Sequence, residues 1–271
     1  MTMQPTPGRQ TAGSVIRAEF RRHLRGRRTP VALGVAAGIA VLSAFGFFAF
    51  VRSVDDTLGA GAFAVPIGLE FAAGAISLVL CLYALSTVTG ETGDGTVLGS
   101  LLLVPNRGRL LVARALVWPV LGMAVLLVVS PFVLLLGRVI GLPGSIDLGS
   151  FLLGLGMACL ALALVTTLSF LAATALRRGA VAMAMAIGCL LVLPLAVVVL
   201  QVAGPDAFGP VLATVLDALP GVAVMKALNV SGTAAQGWIP VIQGLLVLGA
   251  WVVATGLVAV PRFWREGART E

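Results

Sequence analysis

The sequence predicts an all-α integral membrane protein that crosses the bilayer six times, with both ends in the cytoplasm. Three observations predict it. Of 271 residues, 59% are hydrophobic and only 11% charged, where a soluble domain carries about a quarter charged residues. A chain this apolar lacks the polar surface that water demands, and the bilayer accepts it. Next, the charges are gathered at the ends of long apolar runs, each close to the ~20 residues that cross ~30 Å of hydrocarbon as a helix. Finally, Lys and Arg are distributed unevenly between alternate loops.

The expected spans are residues 30–51, 65–89, 115–137, 148–176, 179–203 and 238–260. Pro119, Pro131 and Pro194 fall inside them, where neighbouring helices can satisfy the carbonyls that proline frees. With the N-terminus inside, the inner segments hold fifteen of the eighteen Lys and Arg residues, and Arg52, Arg138 and Lys226 are left outside. The positive-inside rule therefore selects this orientation. The first run follows a long Arg-rich segment and exceeds a signal-peptide h-region, so it is expected to be retained as a span.

Residues 11–28, ahead of the first span, carry Ile16, Phe20 and Leu24 at every fourth position, with Arg17, Arg21 and Arg25 beside them. On a helix this makes one apolar and one basic face, the pattern of a helix lying in the membrane plane against anionic lipid. The plainer alternative is a basic flank with no defined helix. Gly26 and Pro30 mark the bend into the first span. Residues 204–237, expected outside, are apolar at helical spacing from Val211 to Leu228 but broken by Pro220 and Gly221 and interrupted by Asp217 and Lys226. They read as two short helices dipping into the outer leaflet or capping the bundle.

Other functions are excluded by what is missing or misplaced. The net charge of +7 does not point to nucleic acid, because no basic face is interleaved with aromatics. Cys81, Cys159 and Cys189 lie in apolar runs without metal-ligand spacing, so no metal is expected. His23 is the single histidine and lies outside the spans, which leaves little for a membrane protease or acyltransferase, and no enzymatic activity is expected of this chain. Asn229-Val-Ser231 matches a glycosylation acceptor by a pattern that arises often by chance. Gly34 and Gly38 form a small-xxx-small pair suited to close helix contact. Glu70 has two readings: an acid within span two facing a central path or pairing with Arg52 or Arg138, or an acid of the headgroup zone with span two starting at Phe71. The second is preferred.

The inner loop between spans two and three is the most informative stretch. It runs Glu91-Thr-Gly-Asp-Gly-Thr-Val-Leu-Gly-Ser-Leu-Leu-Leu-Val-Pro-Asn-Arg-Gly-Arg-Leu-Leu-Val-Ala-Arg114. Asp94 or Thr96 can cap a helix start, Val97, Leu98, Leu101, Leu102 and Val104 supply an apolar side, and Pro105 ends it. A short amphipathic helix over residues 94–104 is expected there, joined directly to two spans.

This loop resembles that of the permeases of the type-2 ABC transporter family. Their pattern is an acidic residue, Gly-Thr, a leucine-rich turn, then Pro-x-Arg and a basic residue opening the third span. The matching residues are Glu91, Gly95, Thr96, Leu98, Leu101, Leu102, Pro105, Arg107 and Arg114. The family more often has lysine at the last of these. Beyond the loop, the resemblance is one of layout across residues 1–271 as a single permease domain. It implies an exporter subunit of the cytoplasmic membrane, working as a homo- or heterodimer with a second permease chain. It also implies a separate ATPase subunit contacted by Glu91, Gly95, Thr96, Leu98, Leu101, Leu102, Pro105 and Arg107. The chain has no Gly-x-x-x-x-Gly-Lys-Ser/Thr loop, and its only lysine is Lys226. It is therefore expected to hold no ATP or other cofactor of its own. The alternative is a secondary transporter or channel working alone, a class that shows intramembrane charges or paired broken helices in two repeats.

Overall fold

A computed structural model describes residues 11–58, 64–93, 107–140, 148–176, 179–188, 192, 216–229 and 238–266. Every regular element among them is helical: α1 (Ala12–Arg25), α2 (Arg28–Leu58), α3 (Ala64–Gly93), α4 (Arg107–Val139), α5 (Leu148–Leu176), α6 (Gly179–Ile187), α7 (Pro220–Leu228) and α8 (Ile239–Glu266). Five of them, α2, α3, α4, α5 and α8, are long and apolar enough to cross a membrane. The chain is therefore a multi-pass, all-helical membrane protein as far as it is described. The expected fifth span begins as α6, and the rest of it, like the expected helix over residues 94–104 and the first outer piece from Val211, lies outside the described residues.

α2, α3, α4 and α5 alternate in direction and α8 runs in the same sense as α5, which places their ends in two groups. At one end, Val15 of α1, Ala84 of α3, Leu110 and Trp118 of α4, Phe170 and Ala175 of α5, and Ala259 and Phe263 of α8 form one buried cluster. Arg262 donates to the carbonyl of Ala175 there, so the last turn of α8 satisfies a terminal carbonyl of α5. At the opposite end, Phe48 and Val51 of α2, Val65 of α3, Val133 of α4 and Phe151 of α5 pack with Ala223 and Ala227 of α7. The first group carries Arg17, Arg21, Arg22, Arg25, Arg27, Arg28, Arg109, Arg114 and Arg262, and the second Arg52, Arg138 and Lys226. We call them the basic end and the far end.

α3 and α5 form the centre. Half of the apolar stretch of α3 is buried, against 17% in α8 and 22% in α2, which lie at the periphery. α2 meets α3 through Ala36, Ala40, Ala44 and Phe48, all fully buried at a spacing of four. Without a hydrophobic drive between helices in lipid, small residues that allow close van der Waals packing make the seam. The small-residue pair anticipated at Gly34 and Gly38 is not that seam: both are exposed, with open space where a Cβ would project. Alanine at every fourth position does here what glycine was expected to do.

Proline and hydroxyl side chains are accommodated within the helices. Pro131 cannot donate to the carbonyl of Leu127, and Ser130 Oγ donates to that oxygen at 3.1 Å. Thr166 and Ser169 donate to Leu162 and Val165, one turn back, at 2.8 and 3.0 Å. Buried hydroxyls are thereby satisfied without leaving the helix.

Several expected boundaries move. α4 starts at Arg107, two turns ahead of the expected span, so Arg107, Arg109 and Arg114 sit on the helix rather than in a loop before it. α3 starts at Ala64, so Glu70 lies in its second turn and is half-buried. The break expected at Pro220 falls there: helical residues 216–217 end in a turn, and Pro220 opens α7, a position where its missing N–H costs nothing.

Candidate functional site

α1 is anchored before it is packed. Thr11 takes the N-cap position in extended conformation, its hydroxyl accepting from the Ser14 N–H at 3.4 Å, while Ser14 Oγ donates back to the Thr11 carbonyl at 2.8 Å. The basic residues Arg22, His23 and Arg25 fill its last turn, where they complement the negative end of the helix dipole. The helix lies mainly against α4. Its packed face is turned by one residue from the stripe read in the sequence. Val15 and Glu19 are buried and His23 partly so, Ile16 and Phe20 flank them, and Leu24 is exposed. A glutamate therefore sits in the middle of the inward face.

Glu19 is there because Arg114 is opposite. Arg114 is also buried, and its Nε lies 3.5 Å from Glu19 Oε1. Its Nη1 reaches Glu91 Oε2 at 3.0 Å. Glu91 Oε1 in turn takes Arg22 Nη2 at 2.8 Å, and Arg22 Nη1 returns to Glu19 Oε2 at 3.7 Å. Two acids and two bases thus alternate in a closed ring contributed by α1, α3 and α4. A charge buried alone would cost several kcal/mol, whereas alternation gives every member two opposite neighbours. The ring is uneven. Its Glu91 half closes at hydrogen-bonding distance, while Glu19 Oε2 has no hydrogen-bond partner among the described residues, only the longer ion pair to Arg22, with His23 Nδ1 3.9 Å away.

An aromatic group backs the ring. His23 Nδ1–H donates to the Glu19 carbonyl at 2.9 Å, which fixes the imidazole edge-on to Trp118, centroids 5.0 Å apart. Tyr83 of α3 meets Trp118 edge-on from another direction at 5.4 Å, and its hydroxyl is 3.1 Å from Thr29 Oγ1 at the start of α2. Trp118, essentially unexposed, therefore joins α1, α3 and α4 behind the charges. His23 thus packs between the Glu19 backbone and Trp118.

Of the residues expected to serve the inner loop, the structure describes Glu91 fully and Arg107 as the first residue of α4. Gly95, Thr96, Leu98, Leu101, Leu102 and Pro105 lie outside the described residues. Glu91 and Arg114 meet although they bracket the loop from opposite ends. Glu19 and Arg22 were not singled out as site residues. The available signal was that Glu19 is the only acid of α1 and shares a helical face with Val15 and His23. Glu70 stands away from this cluster, near the start of α3 at the far end. Among the described residues no group of His, Cys, Asp and Glu could hold a metal ion. No protein-family model matches the chain, and no curated protein matches its sequence.

Proposed function

We propose that the chain is the membrane-spanning permease subunit of an ATP-driven exporter of the type-2 ABC class, with its basic end in the cytoplasm of a cell whose cytoplasmic membrane it crosses. A separate ATPase subunit binds the inner loop, and a second permease chain completes the path. The observation that carries the reading is the meeting of Glu91 and Arg114 at 3.0 Å. It closes the base of the loop that holds the leucine-rich segment, so a push on that segment is delivered to α3 and α4 together. A loop with an open base would absorb the motion in its own backbone.

Within this reading the residues divide. Leu98, Leu101 and Leu102 supply the apolar anchor for a groove on the ATPase, as an amphipathic helix does, with Gly95, Thr96 and Pro105 shaping its two ends. Arg107 and Arg109 offer charge to an acidic rim on that partner. Glu91 has both carboxylate oxygens engaged within the chain, and its part is to hold the base rather than to reach the partner. Orientation rests on the concentration of arginine at one end.

Co-expression with a candidate ATPase subunit tests the proposal. Leu98→Asp with Leu101→Asp should leave insertion intact and abolish both co-purification and the permease's stimulation of ATP hydrolysis. Retention of both would remove the loop as the docking element, and with it the case for an ATPase-driven permease.

A further inference from the structure

Glu19 is the only acidic residue of α1, and it is turned inward onto Arg114. The outward face is left with Arg17, Arg21 and Arg25, all exposed, beside exposed Leu24 and with no acid to offset them. Arg27 and Arg28 extend the same charge to the start of α2. A patch like this has one natural occupant at a membrane surface. Cationic side chains with an adjacent apolar one match a layer of phosphate headgroups above acyl chains.

The inward face of the same helix is locked to α3 and α4 by the ring, chiefly through Arg22 on Glu91 at 2.8 Å. Arg22 stands at the boundary, its side chain 41% exposed, between the outward arginines and the buried pair. Whatever holds the outer face of α1 therefore also sets how firmly the ends of α3 and α4 are held.

We propose that α1 is an anionic-lipid-responsive clamp: acidic phospholipid headgroups bind its outward arginines, and the ion-pair ring passes that restraint to the adjoining ends of α3 and α4. The clamp needs no ATPase subunit, so its failure leaves the permease proposal where it stands.

Amide hydrogen exchange on the purified full chain in lipid nanodiscs tests it, comparing phosphatidylcholine alone with phosphatidylcholine containing phosphatidylglycerol. Phosphatidylglycerol should slow exchange across residues 12–25 on the order of tenfold or more, each arginine near an anionic surface adding roughly a fivefold preference for it. A smaller slowing should appear in residues 88–93 and 107–114. Arg17→Gln with Arg21→Gln and Arg25→Gln, all at exposed positions, should abolish both effects. Glu19→Gln with Glu91→Gln should keep the first effect and lose the second. Equal exchange of residues 12–25 in the two lipids, or an undiminished lipid effect in the triple arginine variant, would overturn the lipid surface. Protection confined to α1 in the unaltered chain would overturn transmission through the ring.

Discussion

The two ends of the bundle are held by different physics. At the far end the contacts are matched shapes. Gly68 of α3 lies against the ring of Phe48 so closely that a Cβ would overlap it, and a Cβ on Gly244 of α8 would stand 2.6 Å from both the Ala223 carbonyl oxygen and the Ala227 backbone nitrogen of α7. Close-packed contacts of this kind have one good arrangement and resist displacement. Charges there cap carbonyls, as Arg52 does for Ile140, or pair in the open, as Lys226 does with Asp217 at 2.8 Å. At the basic end four charges from three helices share a ring whose distances run from 2.8 to 3.7 Å. Ion pairs reach further than van der Waals contacts and tolerate small shifts. The end built from them is suited to move as a unit, while the end built from glycine and phenylalanine is suited to stay.

The comparison can be broken at either end. The largest effect should follow from Glu91→Ala, which removes the carboxylate that Arg114 and Arg22 share. Stranding a buried charge costs about 3–5 kcal/mol, so thermal unfolding in detergent should fall steeply or the chain should fail to accumulate. Gly244→Val should cost about 1–3 kcal/mol, because its side chain meets α7 backbone that cannot rotate away. Its signature should differ from that of Glu91→Ala: faster proteolysis around α7 with the basic end unaffected. Lys226→Ala should cost under ~1 kcal/mol. That pair is as short as Arg22–Glu91, but Asp217 is 55% exposed, and water screens it. A Lys226→Ala effect as large as that of Glu91→Ala would remove burial as the reason the ring matters.

The ring also makes a prediction that an isolated pair does not. Exchanging Glu91 and Arg114 by Glu91→Arg with Arg114→Glu restores one attraction but sets the new arginine against Arg22 and the new glutamate against Glu19. The exchange should therefore remain destabilised, and only the further changes Glu19→Arg and Arg22→Glu should recover stability. Recovery by the two-residue exchange alone, measured by the same unfolding midpoint, would show that Glu91 and Arg114 act as a simple pair.

Much of this fold was legible because bilayer physics acts on runs of sequence. About 20 apolar residues between charges is a signal that needs no knowledge of neighbours, and it located α2, α3, α4, α5 and α8. The basic, amphipathic N-terminal helix was legible for the same reason. What escaped depends on contacts between distant residues. Arg114 and Glu19 are 95 positions apart, and in a stretch read for its arginines and apolar residues the single glutamate was not weighed. The period of four at Ile16, Phe20 and Leu24 was real, yet the packed face is centred one residue away because an ion pair, not an apolar stripe, decides it. At Gly34 and Gly38 a small residue permits close approach, but within the described chain the neighbouring helix packs on Ala36, Ala40 and Ala44 instead. Helix ends reach beyond the expected spans because arginine can sit on the first turns of a helix as readily as ahead of it, as Arg107 and Arg109 do on α4.

The most direct test of the ring as a coupled unit is a double-mutant cycle on Glu91→Gln and Arg114→Gln, read as unfolding free energy in detergent. A coupling of about 1–3 kcal/mol between the two substitutions is expected, as for residues that share one ion-pair network. Effects that add to within ~0.3 kcal/mol would mean that the two side chains act independently and that the base of the inner loop is not closed by them.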